Sequence, residues 1–98
     1  MQLYEKIYER TQMKKLEKIT KAFGNISRLK ILQFLKKRKE ASVIQISGGT
    51  KCSYKATSKH LSILFRVDIV DREQRGYEMQ YRLSDTLDPA AKMFLTFL

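Results

Sequence analysis

The chain has 98 residues, with 20 Lys and Arg against 10 Asp and Glu, which gives a formal net charge of +10. Its length predicts a single domain over 1–98, and a hydrophobic content of 43% is enough for one core. A single cysteine, Cys52, excludes an internal disulfide and any zinc site that needs two thiolates. Because no apolar run is long enough for a membrane span or a signal peptide, we expect a soluble cytoplasmic protein without membrane contact.

Positive charge is distributed unevenly along the chain. Residues 1–49 hold twelve bases and four acids, whereas residues 50–98 hold eight bases and six acids. Even so, the segment 51–66 contains four bases and no acid. Such a balance favours a polyanionic partner such as nucleic acid, although a run of lysines is also compatible with an ordinary solvated surface.

The first half of the chain has the periodicity of helices. Apolar residues at three- and four-residue spacing predict a long helix over 2–23. A second helix follows, with Ser27 as its expected N-cap. The segment 41–50 predicts one or two helical turns, which we expect the pair Gly48 and Gly49 to end.

A fourth helix is predicted after Ser53, which is its expected N-cap. Thr57 and the apolar residues Leu61 and Leu64 fall on one face of this helix. The opposite face carries Tyr54, Lys55, Ser58, Lys59 and Ser62. That face has no carboxylate to repel phosphate, so it is a candidate surface for contact with DNA.

The rest of the chain predicts a hairpin and a last helix. Strict alternation of apolar and polar residues over 77–83 predicts a half-buried strand, paired with a strand over about 69–73 around Gly76 at the tip. Asp88 and Pro89 are the expected N-cap and first residue of a final, mostly apolar helix. The element order α-α-α-α-β-β-α is that of a winged helix-turn-helix, mainly α with a small β-hairpin.

Three segments in register resemble the ArsR-type transcriptional repressors. KAFGNISRLKILQFL is similar to the opening of that family's domain, CSYKATSKHLSIL to its recognition helix, and LFRVDIVDREQRGYEMQYRL to the segment that forms its wing. The match is collinear over about residues 20–84. The resemblance implies a winged-helix core over 26–84 that binds double-stranded DNA as a homodimer and regulates transcription, with repression as the expected mode.

The effector chemistry of the family is not matched. Metal-sensing members carry a Cys-x-Cys pair in the short helix, where this chain has Ser42 and Ile44. Other members place His and acidic ligands in the last helix, and AAKMFLTFL has neither. We therefore expect no metal and no cofactor.

The expected DNA contacts come from the fourth helix with its cap and from the hairpin. A helix in the major groove presents several side chains to base edges, and the hairpin reaches neighbouring phosphates. For the hairpin residues, an ordinary polar loop is the alternative. The full predicted set is Ser53, Tyr54, Lys55, Ser58, Lys59, Ser62, Arg72, Gln74 and Arg75.

Three further residues have other expected roles. Arg28 is open between a phosphate contact and an ion pair within the domain. We expect His60 to be a packed, hydrogen-bonded histidine and Cys52 to be a buried small hydrophobic residue.

Both ends of the chain carry more apolar side chains than one small core needs. Exposed apolar patches mark partner surfaces. We therefore expect the helices over 1–23 and 88–98 to pack against a second copy in a twofold homodimer, with two recognition helices about one DNA turn apart. The predicted interface residues are Leu3, Tyr4, Ile7, Tyr8, Met93, Phe94, Phe97 and Leu98.

The sequence thus predicts a sequence-specific DNA-binding regulator that recognises a palindromic site. Two alternatives stay open, namely a winged-helix module that binds another protein and a non-specific chromatin-coating DNA binder. An enzyme is not expected, because the chain has no glycine-rich phosphate loop, no paired acids in a predicted cleft and one histidine.

Overall fold

Five helices and a three-stranded antiparallel sheet make up the protein, for which a computed structural model describes residues 2–98. The elements in chain order are α1 (Gln2–Phe23), α2 (Ile26–Arg38), β1 (Ala41–Ser42), α3 (Val43–Thr50), α4 (Tyr54–Arg66), β2 (Val70–Arg75), β3 (Glu78–Leu83) and α5 (Pro89–Leu95). This order confirms the predicted winged helix-turn-helix and adds the short strand β1.

The β2–β3 hairpin, which we call the wing, is joined to the helical core by β1. Strand β3 lies in the centre of the sheet, in the order β1-β3-β2, and Ala41 of β1 is opposite Tyr81. Gly76 at the turn of the wing has a φ of +61°, which glycine adopts without a steric penalty. Strand β2 is longer than predicted, so Gln74 and Arg75 lie in the strand and not in the tip loop.

The ends of the helices are capped by side chains, not always the predicted ones. The predicted N-cap Ser27 is wrong: Asn25 caps α2, because its backbone is extended and its side-chain oxygen accepts from the Arg28 N–H at 3.1 Å. Ser53 and Asp88 cap α4 and α5 as predicted. Helix α5 ends at Leu95, earlier than the apolar pattern suggested.

Helix α3 continues through the glycine pair that was expected to end it. Gly48 and Gly49 both lie inside the helix, which stops only at Lys51 in the left-handed region. The start of α3 is fixed by a capping box, in which Ser42 and Gln45 exchange side-chain to backbone hydrogen bonds of 3.3 and 2.9 Å.

The core lies among α2, α3, α4 and the sheet. Its fully buried side chains include Ile31, Leu32, Leu35, Ile46, Leu61, Leu64, Ile69 and Val70. Helix α1 buries only Ile19, Ala22 and Phe23 at its C-terminal end, whereas residues 2–18 are all exposed. Most of α1 therefore extends away from the domain that it begins.

Candidate nucleic-acid interface

Helix α4 has one buried side and one solvent-facing side. Thr57, Leu61 and Leu64 have no exposed surface and fix the orientation of the helix on the core. On the other side, the five predicted residues and Arg66 line a single shallow surface. We call this surface the reading face: Tyr54, Lys55, Ser58, Lys59, Ser62 and Arg66.

The sequence analysis missed Arg66 as part of the reading face. Its signal was present, because Arg66 follows Ser62 by four residues and therefore lies on the same side of a helix. The Arg66 guanidinium donates a hydrogen bond to Ser62 Oγ at 3.4 Å. Helix α4 extends one residue beyond the apolar pattern that set its predicted end, which is why this cation was left out.

The reading face is cationic and free of carboxylates. Lys55, Lys59 and Arg66 are exposed, and Tyr54 is 58% exposed. Ser53 lies at the N-terminal end of this surface, where its Oγ accepts from the Ala56 N–H at 3.1 Å. That hydrogen bond leaves the Ser53 hydroxyl proton free to donate to a phosphate oxygen.

The predicted wing residues are already engaged within the protein, and of these Arg72 directly contacts α4. The Arg72 guanidinium lies 3.9 Å above the centre of the Phe65 ring, a cation–π contact at the C-terminal end of α4. The Gln74 amide donates to the Gly76 carbonyl at 2.9 Å. Arg75 donates to both carboxylate oxygens of Glu40 and also to Glu73 at 3.0 Å.

Arg28 connects the end of α1 to helix α4. Its guanidinium donates to the carbonyls of Ala22 at 2.8 Å and Lys21 at 3.0 Å, and to His60 Nδ1 at 3.2 Å. Among residues 2–98 no carboxylate pairs with Arg28, so the ion pair considered from the sequence is not formed, and two of its donors face helix-end carbonyls. Arg28 thereby satisfies carbonyl groups that a helix C-terminus leaves without partners.

His60 is hydrogen-bonded as predicted. Burial lowers the pKa of His60 below its ordinary value, and the charges of Arg28 and Lys59 lower the pKa further. The neutral imidazole is the form that can accept a hydrogen bond at Nδ1 from Arg28. The neutral state of His60 therefore fits its contact with Arg28.

Cys52 is only half-buried, so the expectation of a fully buried residue is wrong. Its backbone follows the left-handed Lys51, and its carbonyl accepts from Ser47 Oγ at 2.6 Å at the rim of the turn.

Among residues 2–98, no group of three His, Cys, Asp or Glu side chains is placed to hold a metal ion. The absence of a metal stays a prediction. Over the same range, no helix combines the length and the hydropathy needed to cross a membrane.

The predicted dimer residues divide into exposed and half-buried members. Leu3, Tyr4, Ile7 and Tyr8 on α1 are each more than half exposed, as are Met93 and Phe97 at the C-terminal end. Phe94 and Leu98 pack partly on the core, and the Phe94 ring centre is 4.9 Å from that of Phe23. The exposed members leave apolar surface at both ends of the chain.

Comparison with known proteins agrees with this architecture. Residues 26–72, from the start of α2 into β2, match the model of a family described as bacterial regulatory protein, arsR family. Over this segment, almost half of its length, the chain is similar to the ArsR family. Among curated proteins, no sequence matches this chain significantly.

Solved structures show the same fold. The homodimeric winged helix-turn-helix DNA-binding domain of Mb0332 from Mycobacterium bovis, a possible ArsR-family regulator, has a TM-score of 0.79 at 24% identity, covering 91% of this chain and 80% of that one. HlyU from Vibrio cholerae has a TM-score of 0.75 at 29% identity, covering 88% and 89%. The transcriptional repressor PagR of Bacillus anthracis has a TM-score of 0.73 at 24% identity, covering 90% and 97%. Family and fold are therefore those of DNA-binding transcriptional regulators and not of enzymes.

Proposed function

We propose that this chain is a sequence-specific transcriptional repressor of the ArsR type that binds a palindromic DNA site as a homodimer. The observation that carries the proposal is the reading face of α4, which is exposed, cationic and free of carboxylates. A helix fits the major groove, which is roughly 12 Å wide. In a helix-turn-helix, the second helix enters that groove with its N-terminal residues at the base edges, which assigns base contact to Tyr54, Ser58 and Lys59.

Cations of the reading face supply the salt-dependent part of the affinity. Lys55 and Arg66 on each of two subunits make about four phosphate contacts, so log K should fall with log salt with a slope of about −4. In the wing, Arg72 and Gln74 add contacts beside the reading face. Arg75 can bind phosphate only after its bonds to Glu40 and Glu73 are broken. Its net contribution to the DNA affinity is therefore smaller.

Selection from a random pool of duplexes tests the DNA-binding role. The site that the wild type enriches should be bound less tightly by Lys59→Ala and Tyr54→Ala by about tenfold or more, since a base contact contributes roughly 1–3 kcal/mol. The same two variants should lose less affinity for random DNA. Lys30→Ala is the matched control, because Lys30 is an exposed lysine of α2 outside the reading face.

Each other result selects one of the alternatives. Equal losses on selected and random DNA would reduce the reading face to phosphate contact. If the protein binds the random pool but enriches no sequence, the result would favour a non-specific DNA-coating protein. Absence of DNA binding at about 0.15 M salt, where specific complexes of such domains remain tight, would favour a module that binds protein.

Helix α1 is the main support for the homodimer. All seventeen residues from 2 to 18 are exposed, although an unpacked helix of about this length is marginal in water. Burying Leu3, Tyr4, Ile7 and Tyr8 against a second copy would stabilise the helix, and Met93 and Phe97 would extend the same interface. The Mycobacterium bovis domain with this fold is homodimeric. We therefore place dimerisation in 2–23 and 88–98.

A pair of charge substitutions on α1 tests this assignment. Ile7→Asp should convert the dimer to a monomer in analytical ultracentrifugation, because it places a carboxylate in the apolar interface. Met13→Asp should leave the dimer intact, since Met13 is equally apolar but lies among Lys6, Glu9, Arg10 and Lys14. A dimeric Ile7→Asp protein would remove α1 from the interface.

Repression is tested with a reporter gene. Placing the selected site across a promoter should lower reporter output when the protein is present, because an occupied site blocks the polymerase. A rise in output would identify an activator instead.

A further inference from the structure

An apolar groove lies beside the reading face, between the starts of α3 and α4 and the wing. Its exposed apolar walls are Ile44, Tyr54 and Tyr77, with Val43 and Met79 beside them. The polar part of its lining comes from Ser42, Gln74 and Glu78. Ile44 is 66% exposed and Tyr77 is fully exposed. This surface, which we call the apolar groove, exposes apolar side chains that the folded core does not use.

The charge of the apolar groove is opposite in kind to that of the reading face. None of its lining residues is a lysine or an arginine, and its one charged residue is Glu78. The Glu78 carboxylate accepts a hydrogen bond from the Gln80 amide at 3.3 Å. A phosphate would be repelled here, so the groove is unsuited to the DNA backbone.

The two surfaces are nevertheless continuous, because Tyr54 lines both. A duplex bound along the reading face therefore reaches the apolar groove next to the base edges that Tyr54 meets. In the major groove, the apolar group that a standard base presents is the C5-methyl of thymine. The exposed apolar side chains of the groove and its position beside the base edges therefore both favour a thymine methyl as the ligand.

We propose that Ile44 contacts a thymine C5-methyl and so selects a thymine in each half-site, at a position adjoining the bases met by Tyr54. The inference rests on the proposed function, since it needs a duplex on the reading face. Ile44 is suited to this role because it is the second residue of α3, projects outside the core and is not needed for the capping box that starts the helix. Ile44 thus extends readout from α4 to α3.

Deoxyuridine provides the sharpest test, because it pairs as thymine does and lacks only the methyl. In the site that the wild type selects from random DNA, each thymine is replaced singly by deoxyuridine and affinity is measured. At one thymine per half-site, the replacement should lower the affinity of the wild type about fourfold, the usual effect of removing one buried methyl-sized group. Ile44→Ser should bind the thymine and deoxyuridine duplexes equally at that position.

Ile26→Ser is the matched control. Ile26 is 67% exposed, against 66% for Ile44, and it also lies in the first turn of a helix, but outside the apolar groove. Its deoxyuridine profile should equal that of the wild type.

The outcomes separate this inference from the proposed function. A wild type that selects a site but tolerates deoxyuridine at every position overturns the role of Ile44 and leaves sequence-specific binding intact. Persistent thymine preference in Ile44→Ser also overturns it. A wild type that selects no site overturns both.

Discussion

Two adjacent glycines of α3 should respond in opposite directions to the same substitution. Gly48 and Gly49 both lie inside the helix, on which α2 packs. A Cβ at Gly48 would meet nothing within 4 Å, whereas a Cβ at Gly49 would lie 2.1 Å from Cε2 of Phe34 and within 3 Å of two other ring atoms. Replacing each by alanine therefore tests the contact between α2 and α3 directly.

The expected magnitude follows from two free-energy contributions. Alanine in place of glycine inside a helix stabilises by roughly 0.5–1 kcal/mol, and this gain applies at both positions. At Gly49 the Phe34 ring must also move, and overpacking of this kind costs about 1–3 kcal/mol. Because the helix gain cancels in the comparison, Gly49→Ala should be less stable than Gly48→Ala by about 1–3 kcal/mol.

Thermal unfolding followed by circular dichroism measures the difference. For a domain of this size, 1 kcal/mol corresponds to about 4–8 °C in Tm, so Gly48→Ala should melt above the wild type and at least about 4 °C above Gly49→Ala. All proteins are compared at one concentration, because association shifts the Tm. A Gly49→Ala protein as stable as Gly48→Ala would refute the packing argument. Phe34→Leu should partly rescue Gly49→Ala, since the two side chains share one space.

Two further predictions concern polar groups of α4, the buried Thr57 and the half-buried His60. Thr57 is fully buried and its Oγ1 has no hydrogen-bond partner within residues 2–98, so Thr57→Val should raise the free energy of unfolding by about 1 kcal/mol in urea titrations; a decrease would contradict the assignment. His60 is the one histidine of the chain, and its pKa is lowered on folding from an ordinary 6.5. Its contribution to stability is therefore complete above about pH 6.5 and is lost as the pH falls toward the folded pKa. The free energy of unfolding should decrease from pH 7 to pH 5 in the wild type and change less in His60→Asn, and equal slopes for the two proteins would exclude His60 as the cause.

The sequence alone was sufficient for the order of the five helices and the wing and for five of the six residues of the reading face. Helical periodicity places Tyr54, Lys55 and Lys59 opposite Thr57 and Leu61 whatever the rest of the chain does, because residues three and four apart share one side of a helix. The caps Ser53 and Asp88 were equally accessible, since each bonds a backbone N–H two or three residues away. Such local rules need no knowledge of the tertiary structure.

Other features depend on contacts between distant segments. Strand β1 has two residues, too few to show any alternation, and exists because it pairs with β3. Gly49 leaves space inside α3 for the Phe34 ring of another helix, a contact that no local pattern shows.

Contacts between distant segments also determined which partners the arginines have within the protein. Arg75 is neutralised by Glu40 at a sequence separation of 35 residues, and Arg28 meets His60 at a separation of 32. Local patterns record which faces are apolar or charged, but the partner of each charge is fixed only when the packed core brings remote segments together. For this protein, sequence determined which residues of α4 form the proposed DNA-binding surface, and tertiary structure determined which cations of the chain are already paired within the protein.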